Sequence, residues 1–240
     1  MSDARTLVGR PVAGRTYRGE RTVRLGDVNA RARLRLDALA RYLQDVANDD
    51  ATDALEGDAM AWVVRSTTVS VERWPVFREP VALTTWGSGV GSRWAERRTS
   101  VMGERGGAIE VASTWIHVDL DSGRPKKLIP RFLDVYGEAI AGRQVPARLL
   151  HPTPPGDADV VPWTVRQADI DLLGHVNNAV YWAMVEEHLA LHAPFTASVE
   201  YGGGVDHGQP VELRRTPGWL WVIVDGSVAA SATVRSSIDP

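Results

Sequence analysis

The spacing of apolar and polar positions changes several times along the chain, and each change predicts an element. Residues 17–26 alternate as a half-buried strand does. From Asp37 to Leu55 the period lengthens. Leu36, Leu39, Leu43 and Val46 recur at helical spacing and form one apolar stripe, with Asp37 placed where an N-cap belongs. Trp62 to Glu72 is dense in β-branched residues and reads as a strand. Further strands are expected at Val81–Trp86, Arg93–Val101 and Ile109–Leu120, separated by the glycine clusters 87–91 and 103–107.

The second half repeats this plan in shorter form. A strand at 163–168 leads through a loop into a helix from Asn178 to Leu191, followed by strands near 196–201, 209–215, 218–225 and 227–235. The repeat is also visible residue by residue. Val23-Arg24-x-x-Asp27-Val28-Asn29 lies over Val165-Arg166-x-x-Asp169-Ile170-Asp171 without a gap, at an offset of 142, and at the same offset residues 38–45 lie over 180–187. One long helix followed by an antiparallel meander, twice over, predicts an α+β fold whose sheets wrap central helices. Two copies side by side can join their sheets and remove an exposed edge.

Between residues 139 and 162 stand five prolines, Pro146, Pro152, Pro154, Pro155 and Pro162. Each fixes φ and lacks an amide donor, so this stretch is expected to be a linker. The resulting division is 1–138, 139–162 and 163–240. The length of 240 residues allows one large domain or two small ones. The absence of cysteine excludes disulfides, thiolate metal sites and a thiol nucleophile. The six histidines are scattered, so neither a metal nor a cofactor is expected. The longest apolar runs, Ala179–Val185 and Trp219–Val224, are far shorter than the roughly 18 to 20 residues that span a bilayer. A cytoplasmic protein is expected, with neither membrane nor nucleic acid as partner. Charge is uneven: residues 1–148 carry a net +4 and residues 149–240 a net −7, so the first half is the one to attract an anionic partner.

The segment richest in chemistry is Ala168-Asp-Ile-Asp-Leu-Leu-Gly-His-Val-Asn-Asn-Ala-Val-Tyr181. It places Asp171, Gly174, His175, Asn177 and Asn178 just before a helix, where unpaired amides and the positive end of the helix dipole gather. Such a place suits a carbonyl oxygen that gains negative charge.

The run Asp171-x-x-Gly174-His175-Val176-Asn177-Asn178-x-x-Tyr181 resembles the signature of hotdog-fold thioesterases. The first half resembles the acyl-ACP thioesterase branch, in the ordered series Trp62-Val-Val, Arg65, Arg73-Trp-Pro75, Thr85-Trp86, Arg93, Ser113-Thr-Trp115, Gly123-Arg124 and Ile129-Pro130. The resemblance covers about residues 17–201. It implies two tandem hotdog domains, each a long helix wrapped by an antiparallel sheet, and hydrolysis of fatty acyl-[acyl carrier protein] to free fatty acid. Acyl carrier protein and a fatty acyl chain are then the expected partners, with a homodimer left open.

Residues 1–138 would shape the acyl pocket and be catalytically silent, since Asn29 and Arg33 stand at the positions of Asp171 and His175. Residues 163–240 would be catalytic. Asp171 would activate water or attack the thioester carbon. Gly174, Asn177 and Asn178 would supply oxyanion amides, and His175 would contact the carbonyl or orient Asp171 or the water. Arg124, Lys126 and Lys127 are the expected carrier-docking cluster, with Arg93, Arg97 and Arg98 a second basic group. Trp62, Trp86 and Trp115 are expected mainly in the core.

Two departures from the family pattern fall in the site. Leu173 replaces an asparagine, and Gly204 replaces a glutamate, with Val205 in place of the cysteine that follows it. A register shift of one or two residues offers Asp206 or His207 instead. An acyl-CoA thioesterase and a degenerate, non-catalytic acyl-binding protein are the alternatives.

Overall fold

The computed structural model describes residues 7–55 and 60–236. Among these residues ten strands form one antiparallel sheet: β1 (Tyr17–Thr22), β2 (Ala61–Arg73), β3 (Pro80–Val90), β4 (Trp94–Gly103), β5 (Ala108–Val118), β6 (Asp159–Trp163), β7 (Phe195–Tyr201), β8 (Val211–Thr216), β9 (Trp219–Val224) and β10 (Ser227–Ser236). Their order across the sheet is β1-β3-β4-β5-β2-β7-β10-β9-β8-β6. The two halves join where β2 runs antiparallel to β7, from Ser66 opposite Glu200 to Val71 opposite Phe195. Each half therefore covers the edge that the other would expose.

Period-two alternation sets the two faces of the sheet. Val69, Val71, Val101, Ile109 and Val111 point inward and are buried. Against them lies α1 (Leu36–Ala54), whose stripe of Leu36, Leu39, Leu43 and Val46 is buried as its spacing predicts. Burying each of these side chains stabilises the fold by about 1.5–3 kcal/mol. A second helix, α3 (Asn178–His188), packs against α1. The architecture is two tandem hotdog units sharing one sheet, as the repeat implies.

Several boundaries differ from expectation. The first strand stops at Thr22 because residues 25–27 turn as a short 3-10 helix. The glycines at 87 and 89 do not end β3, which bulges there and runs on to Val90. The second half's first strand is Asp159–Trp163, with a 3-10 turn at Gln167–Asp169 where strand was expected. Asp37 is not the cap of α1. Arg35 is the N-cap residue, and Asp37 lies in the first turn, bonded to Arg35 and Arg41. A third helix, α2 (Pro130–Ile140), was not anticipated. Proline opens it, and Phe132, Tyr136, Ala139 and Ile140 form its buried face.

After α2 the proline-rich segment runs as a strap across the outer face of the sheet. Arg143 donates to the Ser88 carbonyl and pairs with Glu96. Trp94 Nε1 donates to the Val145 carbonyl at 2.7 Å, and Arg65 reaches the Ala147 carbonyl. The amides of Leu150 and His151 donate to Glu200. Trp221 Nε1 donates to the Pro152 carbonyl at 2.7 Å. The strap thus spans strands of both halves before β6 begins.

Candidate active site

The loop that enters α3 is held by a closed set of local bonds. Arg166 and Asp169 cap the 3-10 turn, with the Arg166 amide and guanidinium both donating to the Asp169 carboxylate. Burial alone would raise the Asp169 carboxyl, but Arg166 holds it below its ordinary value. The Asp171 amide donates to the His175 carbonyl at 2.9 Å, and the Gly174 amide returns to the Asp171 carbonyl at 3.0 Å. This tight return requires φ +84° at Gly174, a conformation that favours glycine. Val176 then bonds the Val205 carbonyl, and Asn177 caps α3 through its side chain on the Ala179 amide.

Asp171 faces a cavity of about 380 Å³. One carboxylate oxygen, Oδ1, accepts from the Leu173 amide at 2.9 Å. The walls are aromatic and apolar: Trp62, Trp115, Phe132, Tyr136, Leu55 and Met60. The rim carries Leu172, Leu173, Asn177 and Asn178, and Gln44 of α1 reaches across to donate to Asn177 Oδ1 at 3.2 Å. Tyr181, behind the loop, has its phenol pushed up to about 12 by burial and then by the negative charge of Asp171. Tyr201, buried edge-on to Tyr181 with ring centroids 5.3 Å apart, is raised further, mainly by burial.

Of the expected oxyanion donors, the amides of Gly174 and Asn177 are spent inside the loop, on the Asp171 and Asp169 carbonyls. The Asn178 amide, first in the helix, makes no hydrogen bond among the described residues. It alone of the three stands ready for a ligand. His175 is placed differently from Asp171. Its side chain is about half exposed, does not line the cavity, and bonds through Nδ1 to Asp206 Oδ1 at 2.6 Å. It reaches Asp171 through its backbone carbonyl. Gly204 abuts the same imidazole: a Cβ there would lie 3.0 Å from Nδ1. Asp206, not position 204, therefore supplies the carboxylate beside His175. Leu173 lies at the cavity rim, half exposed.

The loop that enters α1 reproduces this backbone 142 residues earlier. Asn29 bonds the Arg33 carbonyl, Ala32 returns to Asn29, Leu34 bonds Pro75 and Arg35 bonds Asp27. Its polar groups serve support. Asn29 Nδ2 donates to Glu186 Oε1 at 3.1 Å, and Glu186 Oε2 accepts from the Leu36 amide at 2.8 Å, capping α1 from the other half.

Trp62 and Trp115 line the cavity, whereas Trp86 is buried under the Arg98 guanidinium. Arg97 and Arg98 are interior, paired with Asp50 and Glu110, so they form no surface cluster with Arg93. Arg124, Lys126 and Lys127 are exposed. Their loop leads into Leu128 and Ile129, which pack with Met60, Trp62 and Phe132 at the Leu55 end of the cavity. Sequence reasoning missed a polar group beside the cavity. Buried Asp50 accepts from Arg15 at 2.7 Å, Arg97 at 2.6 Å and Tyr136 at 2.9 Å. The signal was present, because Asp50 follows Val46 by four residues and so falls on the buried side of α1.

Among the described residues no group of His, Cys, Asp and Glu could hold a metal ion, and no helix is long and apolar enough to cross a membrane. Comparison with known proteins agrees with this architecture. Residues 14–136 match the acyl-ACP thioesterase N-terminal domain and residues 154–228 the C-terminal domain. An uncharacterized Mycobacterium tuberculosis protein, Rv2001, is 30% identical over 213 residues, covering 87% of this chain and 85% of its own. The solved 12:0-ACP thioesterase from Umbellularia californica shares the fold with a TM-score of 0.74 at 20% identity, over 93% of this chain and 98% of that one. An acyl-ACP thioesterase from Bacteroides thetaiotaomicron gives 0.72 at 20% identity, over 91% and 96%. With both domains of one family matched in order over most of its length, the chain belongs to the acyl-ACP thioesterase family and is a thioesterase.

Proposed function

We propose that the protein hydrolyses fatty acyl thioesters of acyl carrier protein, releasing free fatty acid, with Asp171 as the catalytic carboxylate. The observation that carries this reading is the placement of Asp171 on an aromatic-walled cavity at the start of α3. The second carboxylate in the lining, Glu96, is already engaged by Ser88 and Arg143.

The acyl chain lies between the aromatic residues and α1, with the thioester at the Gln44–Asn178 rim. Asp171 takes a proton from water, and the resulting hydroxide adds to the thioester carbon. The carbonyl oxygen becomes an oxyanion, received by the free Asn178 amide and the helix dipole. The C–S bond then breaks, and the departing sulfur takes the proton from Asp171. His175 is a positioning residue in this scheme. Its carbonyl fixes the Asp171 amide, and its imidazole ties the loop to Asp206. The basic loop at Arg124, Lys126 and Lys127 attracts the acidic carrier.

The test is hydrolysis of carrier-linked and CoA-linked acyl chains of equal length, side by side, in the wild type and in Asp171→Asn. Faster turnover of the carrier-linked substrate, lost in the variant, is expected. Equal or faster turnover of the CoA ester would reassign the carrier, and an unaffected variant would remove Asp171 from the chemistry.

A further inference from the structure

The repeat relates the two helices as well as the two loops. At the offset of 142, Gln44 on α1 corresponds to Glu186 on α3, Asn29 to Asp171 and Leu36 to Asn178. In the loop that enters α1 this trio is closed. Glu186 Oε1 accepts from Asn29 Nδ2 at 3.1 Å, and Glu186 Oε2 accepts from the Leu36 amide at 2.8 Å. Gln44 occupies the corresponding place at the second loop. It lines the cavity together with Asp171 and Asn178, and all three residues keep some exposed surface.

At the second loop the trio is open. Gln44 brings one donor and one acceptor where Glu186 brings two acceptors. Its NH2 end is turned to Asn177 Oδ1, which already accepts from the Ala179 amide and so can face only a donor. That contact fixes the amide. Oε1 is the end left over, and it makes no hydrogen bond among the described residues. Asp171 Oδ1 is taken by the Leu173 amide, while Oδ2 makes no hydrogen bond among the described residues. Two acceptors cannot bond each other. They call for a donor of two protons between them, and water is the smallest such molecule. The counterpart of the Asn178 amide, on Leu36, is occupied by Glu186, whereas the Asn178 amide is left for a carbonyl oxygen.

We propose that Gln44 is a catalytic residue of the hydrolysis, whose Oε1 holds the attacking water by one O–H while Asp171 Oδ2 takes the proton of the other. With both hydrogens directed at these acceptors, a lone pair of the water is aimed at the thioester carbon. The proton on the Asp171 side moves to the carboxylate and later to the departing sulfur. The proton on the Gln44 side stays on its oxygen and leaves with the fatty acid. The inference rests on the hydrolase reading with Asp171 as base. It adds a group from the first half of the chain, which then does more than shape the acyl pocket. It also gives the site a side-chain amide, which Leu173 does not supply.

Gln44→Met keeps the length of the side chain and removes the amide; Gln44→Ala removes it without filling its place. Both are compared with Asp171→Asn in turnover of acyl-carrier substrate and in binding of a non-hydrolysable thioether analogue. In both Gln44 variants kcat should fall about tenfold or more while the analogue binds within about twofold of wild type, because the water and not the acyl chain has lost its holder. Hydroxylamine, a far better nucleophile than water, gives the hydroxamate with less help, so its enzymatic reaction should be depressed less than hydrolysis. An unchanged kcat, an equal loss of analogue affinity, or equal depression of hydroxamate formation and hydrolysis overturns the assignment. The two readings fail separately. Full turnover in Asp171→Asn removes the base and the hydrolase scheme with it. Lost turnover there, with full turnover in both Gln44 variants, removes Gln44 alone.

Discussion

The loops that enter α1 and α3 have the same backbone and opposite uses. Both hold an Asx-type turn, closed by Arg31 on Asn29 in one and Leu173 on Asp171 in the other. Both pass their next amides to equivalent carbonyls. The side chains decide the rest. Asn29 is consumed by Glu186, so its loop supports the other half. Gln44, the counterpart of Glu186, spends itself on Asn177 and leaves the Asp171 carboxylate facing the cavity. On the proposed reading, the shared scaffold carries chemistry where a carboxylate faces space for a ligand.

The sharpest way to break this contrast is Asp171→Asn, which gives the second loop the residue type of the first. Hydrolysis should fall by about a hundredfold or more with the fold intact by circular dichroism, as for loss of a general base. Next comes the support side. Glu186→Ala removes the acceptor for the Leu36 amide and for Asn29, and should cost about 1–2 kcal/mol in urea unfolding. Gln44→Ala removes only one contact and should cost less, which tests whether the two halves differ in dependence.

Gly174→Ala places a side chain at φ +84°, where Ala32 occupies φ 58° in the first loop. A loss of about 1 kcal/mol is expected, with weaker turnover because the return bond to Asp171 is strained. The smallest effect is reserved for the exposed cluster. Reversing Arg124, Lys126 and Lys127 together should raise KM for carrier-linked substrate a few-fold at low salt and leave the CoA ester unaffected. Asp169 is held below its ordinary value by Arg166, so its contribution is present above about pH 4 and is lost as the pH falls through the lowered value. Arg166→Gln should flatten that part of a stability–pH curve.

What the chain disclosed in advance follows from locality. The α1 stripe, the β-branched strands and the 142-residue offset are set by neighbours in sequence, and each matches an element or an equivalent turn. The helix α2 was legible in principle, since Phe132, Tyr136, Ala139 and Ile140 have helical spacing, but it is only eleven residues long and no element is predicted there; its last two residues fall in the expected linker. The site was legible only in part. Asp171 could be placed before a helix from sequence, whereas the turn of His175 toward Asp206 depends on a contact across 31 residues. Arg97 and Arg98 are adjacent and alike in sequence. Only the pleat and the packing send one to the cavity and the other over Trp86, where it pairs with Glu110.

The strap stitched across the outer face has an evolutionary reading. In a symmetric dimer of single units, one position would have to serve as both the glutamate that caps and the glutamine that does not. Fusing the copies into one chain frees each from its twin, so a mutation can improve the working side without spoiling the buttress. Bonded to strands of both halves along its way, the connector also tethers the two unlike copies to each other.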